Sequence, residues 1–266
     1  ASNEATPRNA TITVAGKSFV VNQTGVAVSV SAASLNRGAL APESIVSAFG
    51  AGMAEVIQVA GGPQLPINLA GTVFKVRDVN GAERPSPLFF ISPNQINYLL
   101  PSGTAVGPAA VTIYKDNEKL FNCQIEVSHV APGFFTVNSS GAGYPVGQAL
   151  RYKPSDANAQ PQSEPLVTVD GQARPIDLGP DLGSNSDQVF LVLYGTGFRF
   201  RSSLANVTAR IGGEVATVHF AGAQGDFAGL DQVNIQIPRS LIGRGEVSLV
   251  LTVDGLQANI VKIHIK

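Results

Sequence analysis

Gly229-Leu230-Asp231-Gln232-Val233-Asn234-Ile235-Gln236-Ile237-Pro238 decides the fold, because the chain has already used the core of this phrase once. Residues 92–101 read Ser-Pro-Asn-Gln-Ile-Asn-Tyr-Leu-Leu-Pro, with the same Gln-(Ile/Val)-Asn centre and the same closing proline. A strand-like run follows each copy, Gly107 to Tyr114 and Gly245 to Val253, and an apolar run ending in Gly-x-Gly precedes each. Those earlier runs are Ile45 to Gly52 and Val189 to Gly197. Similar offsets between matching parts mean that one β unit occurs twice, with loops of different length.

Working outward from the repeat, 266 residues exceed the usual size of a single domain, so two cores are expected. Apolar residues make up 44% of the chain, and 28 Gly and 17 Pro punctuate short apolar runs, as a β-sandwich requires. No apolar pattern at helical spacing persists, so the expected class is all-β: two tandem immunoglobulin-like β-sandwiches. A net charge of −1 gives no reason to expect nucleic acid as a partner. No apolar run reaches the roughly 20 residues that cross a bilayer as a helix, so membrane insertion is not expected. The single cysteine excludes an internal disulfide. The chain opens at Ala1 without a signal-peptide pattern and reads as a piece of something larger.

In chain order, residues 1–25 form a hairpin, with Thr11–Val14 and Ser18–Asn22 alternating around Ala15-Gly16-Lys17. Residues 26–130 are the first sandwich, in which Asn80-Gly81 signals a two-residue turn. Its closing hairpin puts Phe121, Cys123, Ile125 and Val127 on one face. Residues 131–165 read as a connector, with one apolar knot at Phe134-Phe135 and an exposed loop at 156–164. The knot needs a place to be buried, which predicts an apolar interface between the two sandwiches. Residues 166–266 are the second sandwich. Val189 to Tyr194 is apolar throughout and predicts a strand buried on both faces. Val247, Leu249, Leu251 and Val253 face inward, Asp254-Gly255 turns, and Val261, Ile263 and Ile265 return.

With these residues in view, the chain resembles a C-terminal module of large secreted proteins from soil bacteria. The resemblance rests on Ala41-Pro-Glu-Ser-Ile-Val46, Phe89-Phe-Ile-Ser-Pro-Asn-Gln-Ile-Asn97, Ala131-Pro-Gly-Phe-Phe-Thr136, Tyr194-Gly-Thr-Gly197, Ala221-Gly-Ala-Gln-Gly225 and Leu230-Asp-Gln-Val-Asn234. The order of Gly-x-Gly, strand, proline and hairpin is also similar to the broader IPT/TIG class. Residues 7–23 resemble the last two strands of a BACON-type domain, which makes the hairpin the remnant of a preceding one. The resemblance implies export to the cell surface or beyond, a β-sandwich fold, and no catalytic residues.

Each chemical candidate has a plainer reading beside it. The pairs Gly50/Gly52 and Gly195/Gly197 lack the helix of a phosphate-binding loop, so they are expected to serve strand ends that need φ > 0. Gln95/Asn97 and Gln232/Asn234 place two amides on one strand face. They read as a polar patch for glycan or peptide, or as amides that satisfy a crossing loop; a repeated motif favours the second. Cys123 reads as a small buried hydrophobe. The histidines are isolated and suggest no zinc site. Asp177, Asp181 and Asp187 could offer oxygen ligands to Ca²⁺, the one cofactor left open, although aspartates also serve turns. Arg199, Arg201, Arg239 and Arg244 flank the second copy's signature strands and could grip an acidic sugar, if they converge. The absence of Trp counts against a flat polysaccharide platform.

The expected function is a non-catalytic structural or adhesion module of a larger exported protein, with its partners being that protein's other domains and a glycan or other cell-surface component. A carbohydrate-binding accessory module is the alternative, and a hydrolase with a site between the modules is the third reading.

Overall fold

A computed structural model describes residues 7–62, 64–154, 156, 160–183 and 186–266. The chain divides into two compact units, residues 1–32 with 37–128, and residues 33–36 with 129–266. The first contains β1 (Arg8–Val14), β2 (Lys17–Gln23), β3 (Gly25–Val26), β4 (Val28–Ser31), β5 (Ile45–Phe49) and β6 (Gln58–Val59). It continues with β7 (Thr72–Arg77), β8 (Glu83–Ser86), β9 (Leu88–Ile91), β10 (Gln95–Leu99), β11 (Gly107–Lys115) and β12 (Glu118–Val127). The second contains β13 (Gly133–Phe134), β14 (Gly147–Tyr152), β15 (Gln162–Pro165), β16 (Gln188–Thr196), β17 (Val207–Ile211) and β18 (Glu214–Ala216). It ends with β19 (Val218–Ala223), β20 (Asp231–Gln236), β21 (Gly245–Val253), β22 (Leu256–Gln257) and β23 (Val261–Ile265).

The repeat is a repeat of topology. One sheet of the first unit runs β4-β5-β10-β9-β6, and its counterpart in the second runs β15-β14-β16-β20-β19, with β13 also on β16. Apart from the added edge strands, β4-β5-β10-β9 matches β14-β16-β20-β19. The other sheets agree as well: β12-β11-β7-β8 matches β23-β21-β17-β18. In each unit both sheets contribute to one core. Val46, Ile96, Phe74, Val111 and Phe121 belong to the first, and Leu191, Val233, Leu249, Leu251 and Val261 to the second. The fold is all-β, built as β-sandwiches.

Alternation explains most strands. In β12, Phe121, Cys123, Ile125 and Val127 are buried, and in β23 Val261, Ile263 and Ile265 are, as period-2 patterning requires. Asp254 and Gly255 both take positive φ, the geometry of a two-residue hairpin turn. Asn80-Gly81 behaves differently: only Gly81 has positive φ. The Asp78 carboxylate accepts from the backbone amides of Asn80 and Ala82, so the chain takes a longer loop between β7 and β8. The hairpin β1–β2 forms, but its turn is Ala15-Gly16 alone, because Lys17 already pairs with Val14; β1 is exposed along its whole length.

Two expectations change. Residues 131–165 are not a free connector, because β13 and β14 pair with β16 and β15 pairs with β14. Phe134 is fully buried within the second unit's core, which is where the apolar knot goes. The exposed loop expected at 156–164 lies partly outside the described residues, and 162–164 belong to β15. Nor is β16 fully buried on both faces: Val189, Leu191 and Leu193 face the core, and on the other side Val192 is buried but Phe190 and Tyr194 are half-exposed.

The glycine pairs share one device. Gly52 and Gly197 have φ of +75° and +86°, as expected, whereas Gly50 and Gly195 need no positive φ. Each instead lies against the side chain three residues on, Met53 or Phe198, both fully buried. A Cβ on Gly50 would sit 2.7 Å from Met53 Sδ, and one on Gly195 would sit 2.7 Å from Phe198 Cε1 and closer still to the Gly133 carbonyl. A thioether chain can move aside, while a backbone carbonyl and a packed ring cannot. Gly195→Ala should therefore destabilise the protein in urea unfolding more than Gly50→Ala does. Phe198→Ala should cost about 3–5 kcal/mol, the usual range for removing a buried aromatic ring.

Candidate functional site

In β20, Asp231, Val233 and Ile235 point into the core, so Gln232, Asn234 and Gln236 must lie on the outer face, where they are half-exposed. Residues paired across an antiparallel ladder share a face. Gln232 pairs with Tyr194 on one side and Gly222 on the other, and Asn234 pairs with Val192 and Phe220. A register shift in β19 between Val218 and Phe220 turns both His219 and Phe220 toward solvent. His219 Nε2 lies 3.1 Å from Gln236 Oε1, and its ring stands edge-on to Phe190, with centroids 5.2 Å apart. The outer face is thus a band of amides bordered by aromatic rings.

The first unit repeats the arrangement on β10. Gln95 pairs with Phe49, and Asn97 pairs with Ser47 and Phe90. Phe49 is exposed and Phe90 half-exposed. In both units the Gln donates along the strand to the Asn: Gln95 Nε2 to Asn97 Oδ1 at 2.9 Å, and Gln232 Nε2 to Asn234 Oδ1 at 2.8 Å. Ser47 Oγ adds a second bond to Asn97 Oδ1 at 2.9 Å. The repeated amides therefore satisfy each other, not a crossing loop. Each pair keeps a Gln carbonyl oxygen and an Asn amine with no partner among the described residues. These can accept from and donate to a ligand.

A buried carboxylate holds the edge of the second face. Asp231 is fully buried. Its Oδ2 accepts from the Phe198 and Arg199 amides at 2.8 and 3.2 Å, and its Oδ1 accepts from Arg199 Nε at 2.8 Å. Burial pushes the Asp231 carboxyl above its ordinary value, against the pull of Arg199 and the two amides. The turn closes when the Arg201 amide donates to the Phe198 carbonyl at 3.2 Å. Arg201 then lays its guanidinium over Gly222: a Cβ there would lie 3.2 Å from Nη1. Gly222 has no positive φ, and a side chain there would press on Arg201 and on the Phe220 ring. Arg201 Nε is buried without a hydrogen-bond partner.

The other sequence candidates take up different work. The four arginines do not converge. Arg199 is tied to Asp231 at one end of β20, while Arg239 follows the other end and donates to the Leu178, Gly179 and Asp187 carbonyls. Arg244 makes a 3.6 Å pair with Glu214 at the surface. The carboxylates are engaged separately. Asp177 accepts from the Gly179 amide and Lys266, Asp181 from the Gly183 amide and Ser186, and Asp187 from Arg151. Hydrogen bonds from those amides hold Asp177 and Asp181 below the ordinary carboxylate value. Among the described residues no three His, Cys, Asp or Glu are grouped to hold a metal ion. Burial raises the Cys123 thiol, which lies 3.4 Å from Ser29 Oγ; this is the reverse of the environment that activates a thiolate.

Sequence reasoning missed the aromatic partners Phe49, Tyr194, Phe90 and Phe220. Half of the signal was present, since Phe49 and Tyr194 stand immediately before the first glycine of each pair. Phe90 and Phe220 stand at different distances from their Gln-x-Asn, so no fixed spacing marks them. No protein-family model matches this chain, and no curated protein matches its sequence.

Removing the buried acid leaves Arg199 and two amides without their acceptor. Asp231→Ala should cost about 3–5 kcal/mol in urea unfolding, as for other broken buried ion pairs. Asp231→Asn, which keeps one acceptor oxygen, should fall between the variant and the parent.

Proposed function

We propose that the chain is a non-catalytic adhesion module of a larger exported protein, and that it adheres by holding carbohydrate on the outer faces of β10 and β20. The observation that carries this reading is the recurrence, in the same register in both units, of an amide pair between two solvent-facing rings. Sugar hydroxyls both donate and accept, as the free ends of Gln and Asn do. Sugar C–H faces lie well on Phe and Tyr rings. In the absence of Trp, the apolar contact comes from smaller rings, so each face suits a short segment of a glycan chain.

The sheet also suits this work mechanically. Both amides of a pair sit on a strand with hydrogen-bonded neighbours on both sides, so little ordering entropy is lost on binding.

Thermal melts against plant and microbial polysaccharides test the reading. A polysaccharide at 100 times its Kd adds about 2.7 kcal/mol. For a protein of this size that raises Tm by roughly 5–10 °C. Replacing all four amides (Gln95→Ala, Asn97→Ala, Gln232→Ala and Asn234→Ala) should remove the shift. The largest cost to folding should come from Asn97→Ala, which leaves the buried Ser47 hydroxyl without its acceptor and costs about 1–3 kcal/mol, so urea unfolding of the variant is measured beside the melts. A shift that survives these replacements, or no shift with any polysaccharide, would refute the proposal.

A further inference from the structure

The two faces are alike in amides and rings but differ in charge. Counting from the first glycine of each pair, the sixth residue is Arg201 in the second unit and Val56 in the first. Beside Gln232 the ladder has Gly222, over which Arg201 lies. At the corresponding place beside Gln95 stands Ser92, whose hydroxyl accepts from the Gln95 amide at 3.0 Å and donates to the Gln95 carbonyl at 3.0 Å. The first face has an exposed aliphatic group at its edge in Val59, which pairs with Phe90. The second ends in a guanidinium with no acidic partner among the described residues.

Arg174 and Arg210 also lack an acidic partner among the described residues, but both are exposed, whereas Arg201 is half-buried. Arg199 is paired with Asp231, Arg151 with Glu164 and Asp187, and Arg244 with Glu214, while Arg239 is spent on carbonyls. Arg201 has none of these, and its Nε is already out of water without a bond. A carboxylate arriving beside Gln232 would give this fork a charge-assisted partner, and planar bidentate geometry favours a carboxylate over a hydroxyl.

Resting on the carbohydrate reading above, we propose that the second face selects an acidic saccharide, whose uronate carboxylate is gripped by Arg201 beside Gln232 and Phe220, and that the first face takes a neutral one. Selectivity between otherwise similar glycans then resides in a single side chain, on which any side chain at 222 would press.

Polygalacturonate and its fully methyl-esterified form share a backbone and differ in the carboxylate, so titration calorimetry with both separates charge from shape. The parent should bind the acid form at least about ten-fold more tightly, the scale of one hydrogen bond to a charged group. The preference should weaken as salt is raised. Arg201→Ala and Arg201→Gln should remove the preference, while urea unfolding close to the parent's shows that each variant is folded. Asn97→Ala on the first face should leave the preference intact. A preference that persists in both Arg201 variants would overturn this inference while leaving the carbohydrate reading in place. Binding to neither form, together with no response to any other polysaccharide, would overturn both.

Discussion

The contact on which each unit depends is an apolar side chain folded back beneath a glycine at the end of a central strand. Met53 under Gly50 and Phe198 under Gly195 let the chain leave β5 and β16 and turn at once across the end of the sandwich. A residue with a Cβ at either glycine would hold the plug away from the core and leave a void where it now packs. In the second unit the turn is fixed further by Asp231, whose buried carboxylate takes hydrogen bonds from the two residues that follow the plug's glycine pair. The charge is costly to bury, and Arg199 together with the backbone amides offsets that cost.

The outward faces of both units depend on this constraint. With β16 and β20 locked at one end, their ladder register is set, and register decides which side chains share a face. Gln232 then falls beside Tyr194, and Asn234 beside Phe220. In the first unit the Gly50 and Met53 amides donate to the Asn94 and Pro93 carbonyls, and the ladder places Gln95 beside Phe49 and Asn97 beside Phe90. A core element, conservative for packing reasons, thereby presents a polar motif outward without moving the strand that bears it. The two faces differ at the rim, where Arg201 lies over Gly222 in the second unit and Ser92 bonds the Gln95 backbone in the first.

The loop 177–187 shows how acidic residues that look like a ligand set can be absorbed by the fold. Arg151, nearly buried, reaches Asp187 and Glu164 as well as the Asp177 carbonyl, and Arg239 takes the Leu178 and Gly179 carbonyls from the other side. Buried guanidinium groups that satisfy several carbonyls at once stabilise an irregular segment where no ladder exists to do so.

Sequence by itself determined the all-β class, the duplication and most inward-facing positions, because period-2 alternation and repeated wording are local properties. It also located the Gln-x-Asn pairs and put both amides of each on one face. It missed β13 to β15, whose Gly-, Pro- and polar-rich wording looks like linker until β16 supplies the ladder that makes β14 a strand. It took Val189 to Tyr194 as buried on both faces, since composition cannot tell a covered apolar face from an open one. Only the tertiary structure decided what borders the amides, because cross-strand neighbours are set by register between segments far apart in the chain. It likewise separated Arg201 from Arg199, Arg239 and Arg244: in sequence they are four similar cations, and only their distance from a carboxylate or a carbonyl distinguishes them.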